Sequence, residues 1–199
     1  MQKKGITREI IYQAAAQLIV EKGYDHFSIR ELAARLGVKP ASLYSHVKNV
    51  QEINIAVGEN AICQMSDVLE KAINEKDADT AFIKFAEDYR NFAHKNPELY
   101  RAIMALPGAS ETTLKEEEQK TIIPLRRLVE RYLSNEKNVI NFQRYLRSAI
   151  HGFIMLESSG FMRNKKIPAD ESYAMLIQVC LDQIKKAKET ELPSDKDER

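Results

Sequence analysis

The chain has 199 residues, 44% of them apolar and 30% charged, which is the balance of a soluble globular protein with a sizeable core. Its start, MQKKGITREII, carries no apolar leader, and no run of about 18 uncharged apolar residues occurs, so neither a secretory signal nor a membrane span is expected. The formal charge of +1 hides an asymmetry: residues 1–50 hold eight basic side chains against four acidic ones, a net +4, which leaves −3 for the rest. A basic head on an acidic body points to a polyanion meeting the head alone.

Taken in chain order, the apolar spacing is helical nearly everywhere, and no strand alternation is found. Thr7 caps a first helix with Ile10, Ile11, Ala14, Ala15, Leu18 and Ile19 on one face, ending at Gly23. Ser28 and Glu31 form a capping box that opens a short second helix (28–36), with Leu32 and Leu36 inward and Gly37 as its stop. Pro40 suits the first turn of a third, very short helix over about 40–46. Asn49 caps a long fourth helix with a stripe of Ile53, Val57, Ala61, Met65, Val68, Leu69 and Ala72. Asp77 or Asp79 starts a fifth, carrying Phe82, Phe85, Ala86, Tyr89, Phe92 and Ala93, and Asn96-Pro97 breaks it.

A sixth helix runs from about Pro97 to Leu106, before a Pro107-Gly108 loop. The seventh carries Ile122, Leu125, Leu128, Val129, Tyr132 and Leu133, with Pro124 as a kink or as its true start. The eighth, about 137–159, is apolar through Phe142, Tyr145, Leu146, Ile150, Phe153, Ile154 and Leu156. After a basic loop from Gly160 to Pro168, the ninth carries Tyr173, Leu176, Ile177, Cys180, Leu181 and Ile184. The tail from about Glu189 is charged and expected to be disordered. The fold class is therefore all-α with about nine helices: a three-helix head over residues 1–50 and a larger helical body over 51–199.

Residues 35–49, RLGVKPASLYSHVKN, join the second helix to the third through a Gly-Val turn. Leu32, Ala33, Leu36, Val38, Leu43 and Val47 are the packing spacers, and Gly37 supplies a positive φ. This is a helix-turn-helix pattern, whose second helix enters the DNA major groove. Ala41 and Ser42 are small enough to let the backbone approach base edges, where either can meet a thymine methyl or a base acceptor. Tyr44, His46 and Lys48 offer donors to phosphate, and Lys39 reaches phosphate or guanine. The helix starts at Thr7 and Asn49 add backbone N–H donors.

At three stretches the chain resembles the tetracycline-repressor (TetR-like) family: TREIIxxAA (7–15), EKGYxxFSIRELAARLGV (21–38) and SLYSHVKN (42–49). The resemblance implies a homodimer acting on DNA, with a helix-turn-helix head and a ligand-binding body, usually a repressor released by a small molecule. It matches Thr7, Arg30, Lys39, Ala41, Ser42, Tyr44, His46 and Lys48 to positions that face DNA, and Pro40 is grouped with them. The chain departs from the family at Lys39, where Ser or Thr is common, at Val47, where an aromatic is common, and at Val50, where Lys is common. The segment IHGFIMLE (150–157) is similar to the W-H-G motif of one C-terminal subclass, with Ile150 in place of Trp.

In the body, Tyr89, Tyr145 and His151 are the candidate ligand contacts, and His94, Arg147 and Glu157 also place polar groups near apolar faces. The eighth and ninth helices carry surplus apolar surface, enough for a homodimer interface. One head reads only a few base pairs, so two are expected on a palindromic operator, their centres roughly 34–36 Å apart or a multiple of that. An alternative body only dimerises or docks a protein partner, with no small-molecule input. Catalysis is not expected, because there is no HExxH, no GxSxG and no phosphate loop, and the run Glu116–Glu118 suits a solvated helix face. Neither metal nor cofactor is expected, and Cys63 and Cys180 fit buried thiols of a cytoplasmic protein.

Overall fold

A computed structural model describes residues 5–106 and 123–191. The described residues are helical throughout, with no strand: α1 (Arg8–Lys22), α2 (Ile29–Arg35), α3 (Pro40–Leu43), α4 (Val50–Ile73), α5 (Ala78–Lys95), α6 (Pro97–Ala105), α7 (residues 123–129), α8 (Glu136–Ser158) and α9 (Ala169–Glu191). They form two compact units. The first holds residues 5–64 with 95–106, and the second holds 65–94 with 123–191. The long α4 contributes to both.

In the first unit the caps fall where side-chain chemistry asks for them. Thr7 Oγ1 accepts from Ile10 N–H at 3.4 Å and Ser28 Oγ from Glu31 N–H at 3.3 Å. The Ser28 hydroxyl also donates to Glu31 Oε2 at 2.9 Å, so Glu31 engages the capping hydroxyl itself. Removing that hydroxyl in Ser28→Ala should lower head stability by about 1 kcal/mol, read by urea denaturation. Gly37 ends the α2 turn at φ +68°, with its N–H on the Ala34 carbonyl and Val38 N–H on the Ala33 carbonyl. Ile11, Ala15, Leu18, Ile19, Leu32, Ala33, Leu43 and Val47 are buried. Leu36 and Val38 are only half-buried, because they lie in the turn and just after it.

α6 packs on α1 within this unit, and Glu98 Oε2 accepts from the Tyr24 backbone N–H at 2.7 Å. Gly58 of α4 is what lets α6 approach. A Cβ there would stand 2.8 Å from Leu106 Cγ and 3.0 Å from the Ala102 carbonyl oxygen.

The second unit buries Met65, Leu69, Phe82, Phe85, Tyr89, Leu128, Leu146, Ile150, Phe153, Tyr173 and Ile177. Asp77 is the residue that starts α5, its Oδ2 accepting from Thr80 N–H at 2.7 Å. Several sequence expectations are corrected here. The seventh helix stops at 129, and Tyr132 and Leu133 are buried beyond its end. The turn is held from outside: Arg131 donates to the carbonyls of Ile73, Glu75 and Lys76, and Tyr132 OH donates to Asp79 Oδ1 at 2.9 Å.

Tyr145 and Leu156 lie off the buried face of α8, 42% and 47% exposed. The last helix runs through Glu191 rather than fraying at 189. The Glu191 carboxylate accepts from the backbone N–H groups of Ser134 (2.7 Å) and Asn135 (3.2 Å) and from Asn138 Nδ2 (2.6 Å). The expected Pro107-Gly108 loop, Ile122, Glu116–Glu118 and the final residues lie outside the described residues.

Arg90 and Glu157 form an enclosed ion pair in the second unit. The Arg90 guanidinium donates to Glu157 Oε2 at 2.9 Å and Oε1 at 2.5 Å, lies 2.8 Å from Asp170 and sits over the Tyr173 ring at 4.7 Å. Both Arg90 and Glu157 side chains are only 14% exposed. The hydrogen bonds from Arg90 hold the Glu157 carboxyl below its ordinary range against the opposing effect of burial.

Candidate nucleic-acid interface

The third helix is shorter than its spacing predicts. Regular helix ends at Leu43, where the N–H groups of His46 and Val47 both converge on the Leu43 carbonyl and Ser45 Oγ donates to the Ser42 carbonyl at 2.7 Å. Local Ser chemistry thus turns residues 44–46 out of the helix. Leu43 and Val47 face inward and are buried. Lys39, Pro40, Ala41, Ser42 and Tyr44 are exposed, with Tyr44 at 50%. Their position follows from the sequence: the Gly37 turn and the Leu32, Ala33, Leu43 and Val47 spacers fix α3 on α2 and leave its polar side outward.

The other candidates flank this helix. Thr7 and Lys48 are exposed, as is Arg30 on α2, while His46 is half-buried. The linker after α3 is tied to α1 by contacts that sequence reasoning missed. Arg8 Nε donates to the His46 carbonyl at 2.7 Å. Glu52 Oε2 accepts from the Lys48 backbone N–H at 2.8 Å, and Oε1 accepts from Tyr12 OH at 3.0 Å. Asn49 caps α4 as expected, accepting from Glu52 N–H at 2.8 Å. The Asn49-x-x-Glu52 spacing carries a partial signal for Glu52: a capping box would send its carboxylate to the Asn49 N–H, and here it takes the Lys48 N–H one residue earlier. The hydrogen bond from Lys48 N–H, foremost, keeps the Glu52 carboxyl below its ordinary range. The Lys48 N–H is thereby occupied, which leaves the ammonium as that residue's outward donor.

The second unit carries two open cavities of drug-like size. One, about 470 Å³, is lined by Ile83, Glu87, Arg90, Tyr173 and Ile177, and the other, about 500 Å³, by Asn138, Phe142, Tyr145, Val179 and Gln183. Tyr145 lines the second, with Cys180 Sγ 3.8 Å from its hydroxyl. Tyr89 is buried beside Phe85, and His151 is half-buried; neither lines these two cavities. Burial, aided by the Arg147 charge, lowers the His151 pKa and favours a neutral imidazole. Among the described residues no cluster of three or more His, Cys, Asp or Glu is placed to hold a metal, and no helix is long and apolar enough to cross a membrane.

A short outward helix carrying small and polar side chains, set by a glycine turn on a supporting helix, defines a helix-turn-helix DNA-binding regulator. The family models agree at both ends: residues 11–54 match "Bacterial regulatory proteins, tetR family", and residues 82–180 match "Tetracyclin repressor-like, C-terminal domain". The chain belongs to the TetR family of transcriptional regulators. Among curated relatives, the HTH-type transcriptional regulator YobS of Bacillus subtilis is 27% identical over 172 residues, covering 86% of this chain and 90% of its own. The fold matches a Rhodococcus sp. RHA1 protein of unknown function at TM-score 0.74 and 21% identity, over 94% and 97% of the two chains. It also matches a variant of TetR from Acinetobacter baumannii AYE in complex with minocycline, at TM-score 0.67 and 16% identity, over 92% and 99%.

Proposed function

We propose that this regulator is a homodimeric repressor that holds a palindromic operator until a small molecule in its body releases it. In this reading residues 1–50 bind DNA and 51–199 bind effector and partner subunit. Lys39, Pro40, Ala41 and Ser42 face the major groove, while Thr7, Arg30, Tyr44, His46 and Lys48 meet its phosphate edges. The observation that carries the DNA-facing assignment is the outward polar side of α3, exposed over a fully buried Leu43. In binding assays over a salt series, Lys48→Ala should weaken every duplex and reduce the salt slope by about 0.9 per head. Ser42→Ala should instead change which operator is preferred, and equal loss on all sequences would remove it from the base-reading set.

Support for the dimer is the apolar surface left on α8 and α9, where Met155 (47%), Leu156 (47%) and Met175 (68%) are exposed. Introducing a charge there, as in Met175→Glu, should shift the protein from dimer to monomer in sedimentation. An unchanged mass would take Met175 out of the interface. Support for the effector is the presence of cavities in the second unit and the minocycline held by one structural neighbour. Of the contacts proposed for it, Tyr145 lines one of these cavities, while Tyr89 and His151 line neither and rest on the sequence pattern alone.

Release requires the effector to prefer the DNA-incompetent state, and a hundredfold loss of affinity needs about 2.7 kcal/mol of that preference. A metabolite panel read by thermal shift and by release of bound duplex tests this. Absence of any compound that does both favours a body that only dimerises or docks a partner.

A further inference from the structure

We propose that Glu52 is a positioning residue for DNA binding, which fixes the α3–α4 linker against α1 so that the Lys48 ammonium is presented to a phosphate. The proposal rests on the assignment of the α3–α4 linker to the DNA face. Between Leu43 and Val50 the backbone has left the helix and runs through turns. Beyond its own bonds to the Ser42 and Leu43 carbonyls and the buried Val47, what holds it comes from α1 and from Glu52. The two carboxylate oxygens act on different elements: Oε2 takes the Lys48 N–H at 2.8 Å, and Oε1 takes the Tyr12 hydroxyl at 3.0 Å. Arg8 closes the set from the other side, with Nε on the His46 carbonyl at 2.7 Å and Nη2 at 3.8 Å from Glu52 Oε1. The Asn49 cap on Glu52 N–H at 2.8 Å fixes the main chain from which that carboxylate projects.

The sign of the charge makes Glu52 informative. It sits in a cleft it shares with Arg8 and Lys48, beside the edge of a head that carries net +4 over residues 1–50. An acid in this place repels a polyanion. Electrostatics alone therefore says that its removal should tighten binding, whereas a positioning role says that removal should weaken it. The two accounts predict opposite directions.

The test uses the full chain and a fluorescent random-sequence duplex of about 30 base pairs, titrated by anisotropy over a salt series. Glu52→Ala should bind about tenfold more weakly and lose about 0.9 of the salt slope, as Lys48→Ala does. In a Lys48→Ala background the same change should cost nothing further, because the group being positioned is gone. Glu52→Gln, which keeps one acceptor, should fall between. Tighter or unchanged binding by Glu52→Ala overturns the proposal, as does an undiminished loss in the Lys48→Ala background. Should Glu52→Ala melt below the assay temperature, Tyr12→Phe decides without any change of charge: about a threefold loss sustains the proposal and unchanged affinity overturns it. Failure of the wild-type chain to bind the duplex would instead overturn the DNA-facing assignment beneath it.

Discussion

Arg90→Met should lower the stability of the chain by about 3 kcal/mol at pH 7, the largest single-residue loss expected for an ionic group in the second unit. The variant strands Glu157, a carboxylate only 14% exposed, with His94 Nε2 at 2.8 Å as its remaining close partner. It also removes the plane stacked on the rings of Tyr173 and Phe153. The sign of the pH dependence follows from Glu157, whose folded pKa is held below its ordinary 4.5 by Arg90. A depressed carboxyl contributes stability that is fully present above the unfolded pKa and is lost as pH falls through the folded one. The gap between wild type and variant should therefore be widest near neutrality and narrow below about pH 4.5. Urea denaturation at pH 7 and pH 4 measures both limbs. An equal loss at the two pH values would show that stacking, rather than the ion pair, carries the effect. The double variant Arg90→Met, Glu157→Leu should recover much of the loss, because it leaves no charge buried alone.

Ala41→Glu should abolish DNA binding, with a loss of more than about a hundredfold on specific and random duplexes alike, while the melting temperature holds or rises slightly. The side chain at 41 points outward from the second residue of α3, so the added carboxylate meets no core residue. A carboxylate in the first turn of a helix is locally favourable, by about 0.3–1 kcal/mol. On the proposed placement of α3 in the major groove it faces a concave wall of phosphate charge, where a like charge opposes the approach of every sequence. The combination of an intact fold and lost binding separates this outcome from simple unfolding. Retained affinity for random duplex would place α3 away from the groove.

Much of the fold is legible in the sequence because burial repeats with the helix. The stripes on the fifth and ninth helices coincide with buried residues, Leu176 of α9 being half-buried instead. The helix-turn-helix is legible for a different reason: a glycine stop, a capping serine and six apolar spacers, four of them buried, leave few ways to place two short helices. Element ends are less legible wherever a distant side chain sets them. Nothing near residue 130 announces that Arg131 will be spent on three carbonyls at the end of α4, and nothing near 189 announces that Glu191 will accept from Ser134.

Arg90 is hidden for the same reason. It stands among Glu87, Asp88 and Asn91, which read as a solvated face, and its partner Glu157 lies 67 positions away. On the surface proposed to face DNA, exposure of Ala41, Ser42 and Tyr44 is readable from the spacer pattern. The struts behind it, Arg8, Tyr12 and Glu52, require knowledge of which helix the linker leans on.

The missing Cβ at Gly58 has a genetic consequence. Every missense change in a glycine codon delivers a residue with a side chain, and every such side chain begins with the atom that would stand 2.8 Å from Leu106 and 3.0 Å from the Ala102 backbone. Alanine is the mildest of these and regains up to about 1 kcal/mol of helix propensity, which offsets part of the crowding. Valine, aspartate and arginine press further atoms into the same place. Position 58 is thus a point where amino-acid replacement has almost no neutral outcome, although no ligand, DNA or partner need ever touch it.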